Sequence, residues 1–335
     1  MLFQPAIIAL LLAAGLAVLM LAGAAPFAVQ VIRHWDIGSG SERQLALERR
    51  TYLFSTLLAF VLVAQLAALL LFVFNADRLA AMFVGAMCAV GTLNVNAWGF
   101  PSLLMQIAVF FLAAMWLALN HVDTLARDYP LVRIKYALLL LLLPVLAVNF
   151  WLELQYFLGL KANVITSCCG SLFSGEGKTI AAEASGMEPG PALVLFYAGL
   201  ALAVGAALWH WRRGSRLSGY ATLAASAAGF VASIVGVLSF VSLYIYEHPN
   251  HHCPFCILKP EYDYQGYALY IPLFLATAAG LGAGAMQPFA RIASLRAVLP
   301  RVSARLAGLA AAGYTVFAAL ATWFVLHSNL ILIEH

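Results

Sequence analysis

Residues 134 to 158 read IKYALLLLLLPVLAVNFWLELQYFL, and this stretch decides the fold class. A helix needs about 20 predominantly apolar residues to cross the hydrocarbon core of a bilayer. The stretch exceeds that length, contains six consecutive leucines, and carries a single acidic side chain, Glu153. A helix on the surface of a soluble protein would instead show a polar face. The stretch therefore predicts a transmembrane helix.

The composition of the whole chain agrees with a membrane protein. Apolar residues make up 64% and charged residues 10% of the 335 residues, against about 45–50% and about 25% in soluble domains. These values exclude a water-soluble domain, and they also exclude a disordered chain, which needs low hydrophobicity and high net charge. The formal net charge of +4 is small and scattered, so we expect membrane lipid, and no nucleic acid, as a partner.

Seven further stretches of the same kind predict seven more crossings. With the first, they run over residues 6–32, 52–75, 101–121, 134–158, 191–211, 219–246, 264–287 and 305–330. The predicted fold is an all-α, polytopic integral membrane helix bundle, in which residues 1–335 form a single membrane domain.

A ninth apolar stretch, residues 79–100, contains Gly85, Gly91, Gly99 and two asparagines, and Pro101 follows it. Cytoplasmic loops carry the excess of Lys and Arg, so the basic residues decide whether this stretch crosses. If it does not cross, fourteen of the eighteen basic residues fall on one side, in the loops 33–50, 122–135, 212–216 and 291–305. We therefore predict a re-entrant or interfacial segment at 79–100, with both termini on the side opposite the basic loops. In a bacterial inner membrane that side is the periplasm.

The five cysteines avoid the basic loops. Cys168 and Cys169 lie in the outer loop 159–190, Cys253 and Cys256 lie in the outer loop 247–263, and Cys88 lies in the segment 79–100. The bacterial periplasm is oxidising. The distribution therefore predicts thiol chemistry on the periplasmic face.

The sequence Cys253-Pro-Phe-Cys256 is the sharpest motif. Two cysteines at this spacing can form a redox-active pair, because neighbouring groups stabilise one thiolate, which attacks a partner disulfide. His251 and His252 precede the motif, and protonated imidazoles would favour the thiolate. The same set, His251, His252, Cys253 and Cys256, also suits Zn²⁺ or Cu(I). The motif itself leaves redox and metal chemistry open.

Cys168 and Cys169 are adjacent in sequence, and a disulfide between them would need a strained ring. Each can instead reach a different partner, or the two thiolates can share a metal. We expect them to form a second thiol pair that passes electrons onward from Cys253 and Cys256; two structural disulfides between the loops, from Cys168 or Cys169 to Cys253 or Cys256, are the alternative. Cys88 is an accessory thiol in this scheme. The predicted function is a membrane thiol–disulfide electron-transfer protein, a candidate thiol–disulfide oxidoreductase, that exchanges electrons with a periplasmic thiol or redox protein. Two alternatives stay open: a membrane protein that binds or transports Cu or Zn, and a structural anchor of a periplasmic or electron-transfer complex.

Polar side chains gather at the outer ends of the predicted helices, where ionisable residues within a membrane often mark a functional cavity. Glu153 is the candidate proton carrier, and Gln106, Tyr264 and Tyr267 are candidates for binding a quinone. The histidines near the inner helix ends give little support to a haem. The chain has no Walker loop, no GxGxxG fingerprint and no HExxH motif, which argues against nucleotide hydrolysis and nicotinamide chemistry.

Overall fold

The computed structural model describes residues 3–161, 164–166 and 186–331, and every regular element in these ranges is helical. Ten α-helices follow one another along the described chain: α1 (Pro5–His34), α2 (Glu42–Leu79), α3 (Ala89–Leu93), α4 (Gly99–Leu125), α5 (Val132–Leu158), α6 (Pro189–Arg213), α7 (Arg216–Gly236), α8 (Ser242–Tyr246), α9 (Gln265–Ala285) and α10 (Leu299–His327). A single π-helical turn, Val237–Val241, joins α7 to α8. The all-α prediction is confirmed.

Eight helical segments in the described ranges are long and apolar enough to cross a membrane, and α7, the π-helical turn and α8 together form one of them. They correspond to the eight predicted stretches. The main difference lies at α2, which begins at Glu42, about ten residues before its apolar run. Glu and Arg are good helix formers, so the charged residues 42–50 continue the helix, although hydropathy alone does not reveal them.

Residues 79–100 contain no helix of membrane length. A short 3₁₀ turn, Ala80–Met82, is followed by α3, which has five residues, all of them buried. Non-helical backbone at membrane depth is tolerated where protein covers it. The eight membrane-length helices of the described residues therefore do not include this segment, and its re-entrant or interfacial position stays a prediction.

The contacts within the chain divide it into two compact units. The first unit comprises Met1–Asn75, Asn96–Leu160 and Ala285–Val302, and the second comprises Ala76–Val95, Lys161–Gly284 and Ser303–His335. In the first unit, α5 packs against α1 and α4. Its buried core includes Phe27, Trp116 and Tyr136.

In the second unit, α6 and α7 form the most extensive helix pair. Phe196 on α6 packs edge-on against Phe240 of the π-helical turn and also contacts Phe317 of α10. Aromatic rings in this arrangement add specific stabilisation to the area that they bury. This core lies beneath the loop that carries Cys253 and Cys256, since Ile257 belongs to it as well.

Large apolar side chains remain exposed along the helices, among them Leu12, Leu19, Phe60, Leu141 and Leu202. A soluble protein rarely leaves such continuous apolar surface in water. Contact with lipid accounts for these residues, and the chain is a multi-pass membrane protein.

Candidate functional site

The loop after α8 carries the Cys-Pro-Phe-Cys motif. Helix α8 ends at Tyr246, and Glu247 adopts a left-handed conformation with φ 52° that turns the chain away from the helix axis. Cys256 then opens a 3₁₀ turn, Cys256–Leu258. The motif therefore sits in a short, bent connection between α8 and α9, with both cysteines turned into the second unit.

Three cysteines meet in this unit. The Sγ atoms of Cys88 and Cys253 lie 3.4 Å apart, which exceeds the ~2.05 Å of a disulfide bond. The Sγ atoms of Cys88, Cys253 and Cys256 all lie within 4.8 Å of one another. Cys88 and Cys253 are fully buried, and Cys256 is 5% exposed. We call this set the three-cysteine cluster.

Hydrogen bonds from three side chains to the backbone hold the cluster in place. The hydroxyl of Tyr246 donates to the carbonyl oxygen of Cys253, and the hydroxyl of Tyr270 donates to the carbonyl oxygen of Pro254 at 2.8 Å. Lys259 Nζ donates to the carbonyl oxygen of Met87 at 2.7 Å. The lysine therefore ties the loop to the segment that carries Cys88.

The segment that carries Cys88 is held from its other side by Thr166. The backbone N–H of Thr166 donates to the carbonyl oxygen of Val84 at 3.0 Å, and its hydroxyl donates to the carbonyl oxygen of Gly91 at 2.9 Å. Thr166 is the last residue described before residue 186. Cys168 and Cys169 lie outside the described residues, so their assignment as a second pair stays a prediction.

No family model, curated protein or solved structure matches this chain. The interpretation of the site therefore depends on its own geometry.

The two histidines before the motif are not part of the three-cysteine cluster. His252 Nδ1 donates to the carbonyl oxygen of Leu238 at 2.8 Å. The ring of His251 stacks at a tilt on the ring of Tyr246, with 4.1 Å between the centroids. Among the described residues, the group of Cys, His, Asp and Glu side chains with metal-binding spacing consists of the three cysteines. The predicted ligand set of two histidines and two cysteines stays a prediction.

Tyr262 lies at the edge of the cluster, outside the membrane-length helices. Partial burial raises the pKa of its phenol, and negative charge on Cys256 raises it further. The phenol consequently stays a neutral hydrogen-bonding group at physiological pH. Sequence reasoning did not single out this residue, because it precedes the predicted helix 264–287, whose first residues include the candidates Tyr264 and Tyr267.

The candidate proton and quinone residues occur in both units. In the first unit, Gln106 and Glu153 are fully buried, and Gln106 Nε2 donates to Glu153 Oε2 at 3.3 Å. In the second unit, Tyr264 is half exposed, and its ring centroid lies 6.3 Å from that of Tyr267. The roles assigned to these four residues stay predictions.

Cys88 is the residue whose importance the sequence underestimates. The sequence places it on the same predicted face as the other cysteines and assigns it an accessory role. The structure brings its sulfur to 3.4 Å from that of Cys253. The sequence indicates only that Cys88 lies on the same predicted side of the membrane as the other cysteines. The contact with Cys253 is not predictable from a local pattern, because 165 positions separate the two residues.

Proposed function

We propose that the three-cysteine cluster is the redox centre of a membrane thiol–disulfide electron-transfer protein. The observation that carries the proposal is the position of Cys253, whose sulfur lies 3.4 Å from Cys88 and within 4.8 Å of Cys256. Cys253 can therefore form a disulfide with either neighbour after a small movement of sulfur.

The chemistry follows from this arrangement. Oxidation of the thiols of Cys88 and Cys253 forms one S–S bond and releases two electrons and two protons, which a quinone takes up as it becomes a quinol. The thiolate of Cys256 then attacks the sulfur of Cys253, forms the Cys253–Cys256 bond and releases Cys88 as a thiolate. A dithiol of a periplasmic protein reduces this second disulfide and is itself oxidised to a disulfide.

Burial determines where a protein partner reacts. All three cysteines are buried, and Cys256, at 5% exposure, is the most accessible of them. A reactive cysteine needs partial exposure, so Cys256 is the point of attack. In this proposal Cys256 receives electrons from the partner dithiol, and Cys88 and Cys253 pass them to the quinone.

A soft metal centre is the second candidate function, and the mutual proximity of the three sulfurs favours it. Zn–S bonds of about 2.3 Å place two thiolates of a tetrahedral site about 3.8 Å apart. The Sγ atoms of Cys88 and Cys253 lie 3.4 Å apart, close to that value, and the other two separations do not exceed 4.8 Å. Three thiolates also suit Cu(I).

One sample of the purified full-length protein distinguishes these functions. Metal content is measured by mass spectrometry, and thiols are counted by alkylation under denaturing conditions after equilibration in dithiol buffers of graded potential. The redox centre predicts the reversible loss of two thiols with a slope of about 30 mV per tenfold change in the buffer ratio. It also predicts that Cys253→Ser impairs this transition more than Cys88→Ser or Cys256→Ser, since Cys253 belongs to both disulfides.

The metal centre predicts a different result from the same measurements. Zn or Cu would copurify in stoichiometric amount, and each of the three serine variants would lose it. A disulfide that persists at every potential would contradict both functions. So would three thiols that never oxidise and bind no metal, and in either case a structural membrane anchor would be the remaining function. The double variant Cys168→Ser/Cys169→Ser tests the second pair separately.

A further inference from the structure

A cavity of about 500 Å³ in the first unit is lined by residues of α2, α4 and α5. The lining includes none of the described cysteines, and none of the candidate metal, proton or quinone residues His251, His252, Gln106, Glu153, Tyr264 and Tyr267. The cavity wall contains a buried charged side chain and hydrogen-bond donors that lack partners among the described residues.

Lys135 on α5 supplies the charged group of the cavity wall. Its side chain is 1% exposed, and Nζ lies 2.7 Å from Asp123 Oδ2 and 3.0 Å from Asn120 Oδ1. A lysine ammonium has three N–H donors, and the third has no acceptor among the described residues. Lys135 lies in the first turn of α5, at the end next to the basic loop 122–135, and a buried ammonium group is costly unless its hydrogen bonds are made.

Thr51 on α2 supplies a second donor. It lines the cavity and is 5% exposed, and its hydroxyl has no hydrogen-bond partner among the described residues. Thr56 lines the same cavity, but its hydroxyl donates to the carbonyl oxygen of Tyr52 at 2.9 Å. Buried polar groups are nearly always hydrogen-bonded, so Lys135 and Thr51 together call for a ligand that accepts hydrogen bonds.

The face of α2 that lines the cavity changes from polar to apolar along the helix. Residues four apart share one face of a helix, and Thr51, Ser55, Ala59 and Val63 all line the cavity. At the apolar end, Phe60 is 71% exposed and Val63 is 52% exposed, on helix surface that lipid would cover. The cavity therefore fits a ligand with a polar head and an apolar chain that enters from the bilayer.

The charged side chains around the cavity indicate which polar head the ligand carries. Asp123 neutralises Lys135. The carboxylate of Glu48 lines the cavity, and the guanidinium of Arg133 donates to the carbonyl oxygen of the lining residue Trp35, so these four charges balance. A wall without net positive charge favours an uncharged head over a phosphate, and a ring with carbonyl oxygens would accept hydrogen bonds from Lys135 and Thr51.

We propose that this cavity binds a lipid-soluble quinone, with its ring at Lys135 and Thr51 and its isoprenoid chain along Ala59, Phe60 and Val63. The proposal concerns binding and does not require the three-cysteine cluster to be redox-active. Binding is therefore measured in the Cys253→Ser variant as well as in the wild type. If binding persists where the thiol transition is absent, the two proposals are separated.

The test uses the full-length protein in nanodiscs of zwitterionic lipid. The probes are decylubiquinone and the same dimethoxy-methyl-benzoquinone ring without a chain, and binding is followed by quenching of tryptophan fluorescence, since Trp35 lines the cavity. We expect saturable quenching by decylubiquinone and much weaker binding of the chainless ring. The absence of saturation, or equal affinity for both probes, overturns the proposal.

A matched pair of substitutions tests the position of the ring. Thr51→Val removes the unpartnered hydroxyl without changing the shape of the side chain and should raise Kd about fivefold, the value of one hydrogen bond. Thr56→Val removes a hydroxyl that is bonded within α2 and should leave Kd unchanged. Ala59→Phe fills the apolar half and should abolish binding of decylubiquinone.

Partition of the probe into lipid is the same for every variant, so the ratios of Kd report on the cavity. If Thr51→Val and Thr56→Val have the same effect, the ring does not sit at Thr51 and the proposal fails. It also fails if an excess of phosphatidylglycerol displaces the quinone, because the cavity then binds an anionic lipid. Should Ala59→Phe fail to fold, the threonine pair still decides the outcome.

Discussion

Gly85 is the residue on which the position of Cys88 depends most directly. Its φ of +86° lies in the left-handed region, and a Cβ there would overlap the backbone oxygen of Thr166. A non-glycine residue in such a conformation costs about 1–3 kcal/mol, and the overlap would also separate Thr166 from the segment of Cys88. We expect Gly85→Ala to lower the melting temperature of the purified protein by about 2 °C or more and to increase the alkylation rate of Cys88.

Gly214 provides the matched control for Gly85. It also has a positive φ, +59°, but a Cβ there meets no atom within 4 Å. Gly214→Ala therefore introduces backbone strain without the overlap. It should lower the melting temperature less than Gly85→Ala does and leave the alkylation rate of Cys88 unchanged. Equal effects of the two substitutions would show that the contact with Thr166 does not position Cys88.

At the same scale, the cysteines show what the sequence can and cannot supply. The spacing of Cys253 and Cys256 is local, so the sequence alone predicts a shared site and its thiolate chemistry. The contact between Cys88 and Cys253 joins residues 165 positions apart, and it arises from tertiary packing, which spacing does not encode. The sequence likewise gives no indication that Lys259 contacts the segment of Cys88, because its hydrogen bond to Met87 also arises from tertiary packing.

At the scale of elements, α9 packs closely against α7 through two glycines. A Cβ at Gly280 would overlap Ser226, and a Cβ at Gly284 would overlap Leu223. Small residues at this spacing allow helix backbones to approach each other in membranes. We expect Gly284→Ala to lower the melting temperature, because the helices must separate to accommodate the methyl group.

Gly205 on α6 gives this prediction a control of opposite sign. A Cβ at Gly205 meets nothing within 4 Å, and alanine within a helix is more stable than glycine by about 0.5–1 kcal/mol. Gly205→Ala should therefore raise the melting temperature slightly in the same thermal scan. If Gly284→Ala also raises it, the close approach of α7 and α9 does not limit stability.

The glycines at positions 280 and 284 also mark the limit of sequence reasoning about elements. Their spacing predicts close packing, but it does not say that the partner is α7. The apolar runs predict eight helices correctly because length and hydropathy determine membrane insertion. They miss the start of α2 at Glu42, since the charged residues there extend the helix beyond its apolar run.

At the scale of the whole molecule, the division into two units was not predicted from the sequence. Residues 76–95 and 96–160 are contiguous in sequence but belong to different units, and the glycines and asparagines of 79–100 do not indicate which unit that stretch joins. The distribution of basic residues, by contrast, is a property of the whole chain and needs no tertiary contact. It therefore supports a prediction of topology.

Five of the eight membrane-length helices lie between Gly40 and Asn250, and both residues are exposed. An odd number of crossings places them on opposite sides of the membrane, with Gly40 among the basic residues of loop 33–50 and therefore in the cytoplasm. We expect a membrane-impermeant maleimide to label Asn250→Cys in intact cells above the level of the parent protein, and to label Gly40→Cys only after permeabilisation. Labelling of both positions without permeabilisation would mean that residues 79–100 add a crossing, because a sixth crossing returns the chain to the same side. The three-cysteine cluster would then have to be reassigned, since its loop lies next to Asn250 and its other cysteine lies within that segment.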